Sequence, residues 1–248
     1  SVGMLLDPAV AAERTFALNW KVRGETLRAK DGFPLQIFAI PAARDSVRRA
    51  PCLLVLSPAD TVTTTDSLVT ALALAGHPVA LLAPRGTLGS LGPGAYGPEA
   101  WSGQEARFDA VTATDAGWVM DALGKRPEFG REPWIVGAVG ERATVALAVA
   151  RARRNVSALL LVAPRVPLVE IAEYRARLRT LKTRAFVQVS PEEPVSLEFG
   201  DLLARDTAPG QVRVADSGLA GRGVAIFRGD PKVAARLLAW LEERRATK

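Results

Sequence analysis

The chain has 248 residues, of which 48% are hydrophobic and 23% charged, and its formal net charge is +6 at pH 7. This composition is that of a folded globular protein with one large domain or two small ones, and it excludes the fibrous and disordered classes. There is one cysteine, Cys52, and one histidine, His77, which excludes an internal disulfide and a metal site built from several such residues. We expect no metal and no cofactor.

The positive charge comes mostly from arginines spread along the chain, with denser runs at 151–154 and 175–184. Both runs lie near predicted helix ends, where positive charge is favourable, and no nucleic-acid motif accompanies them, so we expect no nucleic-acid partner. No apolar run reaches the roughly 20 residues of a membrane span. Residues 1–20 lack a signal-peptide pattern, which makes the cytoplasm the default location, with an already processed leader as the open alternative.

The first elements in the chain are predicted to be antiparallel. Residues 1–13 form a loose lead-in and 14–20 an edge strand. Residues 26–30 and 33–40 alternate apolar and polar side chains, and Asp31-Gly32 between them is a strong hairpin signal.

From Cys52 onward, apolar runs typical of strands buried on both faces alternate with helical patterns. The predicted strands are 52–56, 78–83, 133–138, 156–163, 185–189 and 211–215. The predicted helices are 67–75, 106–123, 142–153, 169–181, 197–205 and 231–245, and 85–97 is a loop. We therefore predict one α/β domain over 1–248, with about eight mostly parallel strands, antiparallel amino-terminal strands and helices on both faces. A ligand site is expected at the carboxyl ends of the strands.

The segment Gly137-Ala-Val-Gly-Glu141 stands between a predicted strand and a predicted helix. Many enzymes place a nucleophilic serine on such a turn, in the pattern G-x-S-x-G. Here Val139 occupies the position of the serine.

The order of several motifs resembles the α/β-hydrolase family over about residues 26–243. The motifs are the Asp31-Gly32 turn, Pro84-Arg-Gly-Thr-Leu-Gly-Ser90, the helix with Ala116-Gly-Trp-Val-Met-Asp-Ala-Leu123, the elbow at Gly137–Glu141, Ser190-Pro-Glu-Glu-Pro-Val195, the loop at 217–227 and Leu237-Leu-Ala-Trp-Leu241. The short connection between residues 163 and 185 implies that no large cap domain is present.

The resemblance also implies where the family's active-site groups would lie. Val139 takes the nucleophile position, Glu193 the acid position with Glu192 as the alternative, and Arg222 the histidine position with Gly221 as the alternative. Ala59, in the loop after the first buried strand, would supply the second oxyanion N–H.

These replacements remove the chemistry of the triad. Valine has no proton to give, and an arginine guanidinium cannot act as a base because it stays protonated. His77 is predicted to be a surface turn residue at the opposite edge of the sheet. We therefore expect a non-catalytic hydrolase homologue that binds a small molecule or a protein partner. The residues expected to contact that ligand are Ala59, Val139, Gly140, Glu193 and Arg222.

Three local predictions follow from the altered motifs. The elbow should relax so that Gly140, rather than the β-branched Val139, takes any left-handed conformation. Glu193 and Arg222 should form a salt bridge between the last two loops. Asp60, with the threonines at 61 and 63–65, should cap the first helix.

Two other functions stay open from the sequence. One is an active esterase with a displaced site, for which Ser57, Ser90 and Ser190 are the candidate nucleophiles. The other is a structural or scaffold role through the basic surface at 151–154 and 175–184.

Overall fold

One sheet of eight strands organises the chain in the computed structural model, which describes residues 23–44, 46–61, 63–87, 90, 101–130, 133–205, 207–218 and 221–243. The strands are β1 (Arg23–Arg28), β2 (Pro34–Ile40), β3 (Cys52–Val55), β4 (Val79–Leu82), β5 (Trp134–Val139), β6 (Val156–Val162), β7 (Arg184–Val189) and β8 (Val212–Asp216). Their order in the sheet is β1-β2-β4-β3-β5-β6-β7-β8. The pairs β1–β2 and β2–β4 are antiparallel, and all the other neighbouring pairs are parallel.

Helices cover both faces of this sheet. They are α1 (Asp66–Leu74), α2 (Glu105–Gly124), α3 (Ala143–Ala152), α4 (Leu168–Leu181), α5 (Pro194–Arg205), α6 (Ile226–Gly229) and α7 (Pro231–Glu243). Side chains of α2, α3, α4 and α5 share one hydrophobic cluster with one face of the strands, and those of α1, α6 and α7 share a second cluster with the other face. The predicted mostly parallel sheet with helices on both faces is confirmed.

The central strands are buried along their whole length. All residues of β3, β4 and β5 are buried, which explains why their sequences are apolar without alternation. Cys52 lies at the start of β3 with no exposed surface, and burial raises the pKa of its thiol to about 12. This cysteine is therefore a core residue.

A charge network joins the β1–β2 hairpin to α2. The Arg85 guanidinium donates to Asp115 on α2, with Nε 2.8 Å from Oδ2, and to Asp31 in the hairpin turn, with Nη1 2.8 Å from Oδ2. It also lies 4.4 Å from the ring centroid of Phe33. Asp115 interrupts the apolar stripe of its helix because it is the buried partner of this arginine.

Several element boundaries differ from the predicted ones. Helix α5 begins at Pro194 rather than at residue 197, since a proline is well suited to the first turn of a helix. The short helix α6 was not predicted, because four residues carry too little periodicity. The predicted edge strand at 14–20 lies outside the described residues. None of the helices in the described part of the chain combines the length and apolarity that crossing a bilayer demands.

Candidate functional site

The elbow after β5 has a relaxed backbone. Val139 keeps an extended conformation, with φ −112° and ψ 134°, and Gly140 takes φ 60° before a 3₁₀ turn leads into α3. A β-branched residue is strained at positive φ, and glycine is not. The prediction that Gly140 would take the left-handed conformation is confirmed.

Val139 is part of the hydrophobic core. Its side chain is 3% exposed and belongs to the cluster shared with α1, α6 and α7. It therefore contributes packing to the core at the elbow.

Gly223, three residues before α6, lies close to Val139. A Cβ added to Gly223 would be 3.8 Å from Cγ1 of Val139. The N–H of Gly223 donates to Oε2 of Glu193 at 3.3 Å, and the other oxygen of Glu193 is 3.5 Å from Nη2 of Arg165. The structure thus joins the positions of Val139 and Glu193 through Gly223, a residue that the sequence analysis did not select.

Arg222 takes no part in this contact. Its side chain is 75% exposed, and its Nε lies 3.9 Å from Oε2 of Glu192, which also accepts the N–H of Gly221 at 3.2 Å. The predicted Glu193–Arg222 salt bridge was wrong. Glu193 immediately precedes α5 and is buried, so its carboxylate turns inward to Gly223, whereas Glu192 remains at the surface beside Arg222.

The loop after β3 is closed by a side-chain bond. Oδ2 of Asp60 accepts the hydroxyl of Ser57 at 2.7 Å and the Ser57 N–H at 3.0 Å. The prediction that Asp60 caps α1 was therefore wrong, because its carboxylate holds the preceding turn. Ala59 is exposed at the tip of this turn.

The other two candidate serines are also bonded to backbone. The Ser90 hydroxyl donates to the carbonyl of Ala83 and accepts the N–H of Gln36, both at 2.7 Å. The Ser190 hydroxyl donates to the carbonyl of Gly221. Both hydroxyls donate their proton to a backbone carbonyl, which is a structural bond. A nucleophilic serine needs a base as the acceptor of that proton, and a carbonyl is not one.

His77 is buried, contrary to the prediction of a surface turn. It is 4% exposed, and its Nδ1 lies 2.7 Å from the carbonyl oxygen of Ala50. It precedes β4 and therefore lies at the amino edge of the parallel strands, across the sheet from the elbow. The burial was missed because the sequence does not show that the segment before β3 folds over this turn.

A groove of about 640 Å³ opens beside the elbow, between α2, α3 and α4. None of the five residues predicted to contact a ligand lines this groove. Residues next to three of them do: Pro58 precedes Ala59, Glu141 follows Gly140, and Arg165 contacts Glu193. Its volume is within the range of small-molecule sites.

Arg142 is the most deeply buried charged residue of this groove. It is 7% exposed, and its guanidinium lies 4.4 Å from the ring centroid of Phe108. Burial lowers the pKa of Arg142, and the nearby charges of Glu141 and Asp109 oppose that shift. No acidic group among the described residues forms an ion pair with it.

Asp109 faces the same groove from α2. Its Oδ2 accepts the hydroxyl of Thr144 at 2.7 Å. Burial raises the pKa of Asp109, the hydrogen bond from Thr144 and the charge of Arg142 oppose the shift, and the charges of Glu170 and Glu105 add to it.

Arg142 is not among the predicted site residues, because in the sequence it is the first residue of a predicted helix. The sequence does contain one signal for it, a charged residue directly before an apolar, alanine-rich helix. Such a position is often buried, and arginine is rarely buried without a partner.

Comparison with solved structures identifies the fold. The chain superposes on a predicted CIB-like hydrolase from Thermoplasma acidophilum with a TM-score of 0.65 and 12% identity, covering 91% of this chain and 100% of that one. For a dienelactone hydrolase from Anabaena variabilis the values are 0.65, 13%, 90% and 98%. For an esterase from Exiguobacterium antarcticum they are 0.62, 12%, 89% and 100%.

No family model and no curated protein matches the chain by sequence. The structural matches show that the chain has the α/β-hydrolase fold.

Proposed function

We propose that this protein is a non-catalytic α/β-hydrolase homologue that binds a small molecule or a protein partner. The observation that carries the proposal is the place of Val139, a buried core side chain on extended backbone where this fold can present a nucleophile. A valine side chain can neither attack a carbonyl carbon nor transfer a proton.

The surroundings of Val139 support the same conclusion. Glu193 accepts a backbone N–H from Gly223 and lies beside Arg165, so its carboxylate faces no imidazole. The one histidine in the sequence, His77, is bonded to Ala50 at the other edge of the sheet. In a serine hydrolase the acid orients the histidine, and the histidine activates the serine.

Hydrolysis of short-chain p-nitrophenyl esters by the purified chain tests the proposal. We expect a rate equal to that of a matched preparation without the protein, and no labelling by a fluorophosphonate that reacts with activated serines. Val139→Ser should be equally inactive because it restores a hydroxyl without a base.

Saturable turnover would contradict the proposal. Ser57→Ala, Ser90→Ala and Ser190→Ala would then show which hydroxyl acts, and loss of turnover in one of them would establish a displaced site.

A further inference from the structure

Two residues that line the groove beside the elbow each carry a buried hydrogen-bond donor with no acceptor among the described residues. The donors are Nε of Arg142 and the indole Nε1 of Trp101. Buried polar groups in folded proteins are almost always bonded, so an unpaired one calls for an explanation. Here two residues that line one groove carry such groups, and both groups are donors.

Among the arginines that the structure describes, Arg142 is the one that is buried. Its only close partner among the described residues is the ring of Phe108. Transfer of a charge out of water is costly unless a counter-charge accompanies it. Glu141 and Asp109 act on Arg142 at a distance, but neither forms an ion pair with it among the described residues, so an anion in the groove that contacts the guanidinium would supply that pairing.

The walls of the groove favour an apolar body on that anion. The rings of Phe108 and Trp101 meet edge to face at 5.2 Å, and Tyr174 is kept in place by donating its hydroxyl to the carbonyl of Ala143 at 2.9 Å. Leu147 and Pro167 complete this wall. Apolar walls with a few placed polar groups are typical of small-molecule sites.

Carboxylates around the groove restrict the charge of the ligand. Five carboxylates and four arginines line it: Glu105, Asp109, Glu141, Glu170, Glu173, Arg142, Arg151, Arg165 and Arg177. Glu173 is neutralised by Arg177 on the same helix, and the other carboxylates have no arginine or lysine within ion-pair distance among the described residues. They do not form a metal site within the part of the chain that the structure describes. The carboxylates outnumber the arginines by one, so the second charge of a dianion would be less favourable here than the single charge of a monoanion.

From these observations we infer that the groove binds an organic monocarboxylate with an apolar, ring-bearing body, whose carboxylate pairs with the guanidinium of Arg142. The inference rests on the proposed function, because it specifies the ligand class of a protein proposed to bind rather than to hydrolyse. The inferred binding site is therefore the groove between α2, α3 and α4, and not the surface around Val139 that the sequence predicted.

Isothermal titration with four probes of similar shape tests the charge preference. The probes are phenylacetate, its neutral amide phenylacetamide, the cation phenethylamine and the dianion phenyl phosphate. We expect phenylacetate to bind with a dissociation constant near or below about 1 mM, as its size allows. The other three should bind at least about tenfold more weakly, since a missing or repelled charge pair costs that much or more.

Three variants locate the site. Arg142→Met removes the guanidinium but keeps an unbranched apolar side chain, and it should weaken phenylacetate binding at least about tenfold, whereas Arg142→Lys should retain part of the affinity. Ala148→Trp fills the groove from α3 and leaves the residue at 142 unchanged, and it should also abolish binding, which keeps the test valid if Arg142→Met does not fold. Arg179→Met, an exposed arginine outside the groove, is the matched control and should bind as the parent does.

Absence of phenylacetate binding to the parent protein would overturn the inference, as would binding that survives both Arg142→Met and Ala148→Trp. Preference for phenethylamine would show that the carboxylates rather than Arg142 select the ligand, and preference for phenyl phosphate would overturn the monocarboxylate class. These outcomes leave the ester-hydrolysis test untouched. Ester turnover that is unaffected by Arg142→Met would refute the proposed function and not this site.

Discussion

Two arginines, Arg85 and Arg142, each lie 4.4 Å from the centroid of a phenylalanine ring, and their surroundings differ in one respect. Arg85 is held by the carboxylates of Asp31 and Asp115, and hydrogen bonding to Asp115 raises its pKa. Arg142 is buried with no carboxylate in ion-pair contact among the described residues, and burial lowers its pKa.

The difference indicates what each arginine is for. The bonds of Arg85 are complete within the protein, so it acts as a clamp between the β1–β2 hairpin and α2. Arg142 has an unpaired Nε and no ion pair among the described residues, and it lines an open groove. This arrangement is expected of a residue that binds a ligand.

The largest effect should come from Arg85→Met. Removal of one partner leaves Asp115 buried without its counter-charge, which typically costs about 3–5 kcal/mol of unfolding free energy. Urea denaturation would measure the loss, and Arg85→Met combined with Asp115→Leu should recover part of it. A loss below about 1 kcal/mol in the single variant would show that the pair is not a structural clamp.

A smaller loss is expected from Gly140→Ala. Gly140 has φ 60° at the start of the turn that carries Arg142, and no atom lies within 4 Å of an added Cβ, so the cost is backbone strain alone, about 1–2 kcal/mol. Gly124→Ala at the end of α2 has equal space and no positive φ, so it should be neutral or slightly stabilising. Equal effects of the two substitutions would argue against a left-handed Gly140.

Arg142→Met should change stability by no more than about 1 kcal/mol, because no ion pair is lost and only the contact with the Phe108 ring disappears. The same urea experiment measures it beside Arg85→Met. A loss comparable to that of Arg85→Met would mean that Arg142 is structural, and the contrast between the two residues would fail.

The smallest effect concerns the pH dependence of stability. Asp109 has a raised pKa in the folded protein, so the folded state binds its proton more tightly than the unfolded state does. The stability contributed by this proton is present at acidic pH and is lost as pH rises from 3.8, the ordinary value, through the folded pKa. Asp109→Asn should lack this decline, and its unfolding free energy should gain on the parent over that interval. Parallel stability curves from pH 3 to pH 7 would contradict the assignment.

Most of the fold could be predicted from the sequence because it depends on local patterns. Buried strands such as β3 and β5 are apolar throughout, and the Asp31-Gly32 turn indicates its own hairpin. The conformation of Gly140 was predictable for the same reason, since the steric rules act on single residues.

Contacts between side chains that are far apart in the sequence could not be predicted from local patterns. Glu192 and Glu193 are consecutive in the sequence, yet they have different partners. Glu193 accepts the N–H of Gly223, and Arg222 pairs with Glu192. Which of the two glutamates turns inward depends on where α5 begins. The burial of His77 likewise depends on Ala50, which is 27 residues away.

The single cysteine, Cys52, makes opening of the fold measurable by thiol labelling. Cys52 has no exposed surface at the start of the central strand β3, and its thiol has a pKa of about 12, so the reactive thiolate is scarce at neutral pH and out of reach of reagents. Alkylation of the native protein therefore requires an opening that exposes the start of β3. At reagent concentrations where labelling is faster than reclosing, the labelling rate would equal the rate of that opening, without any engineered label.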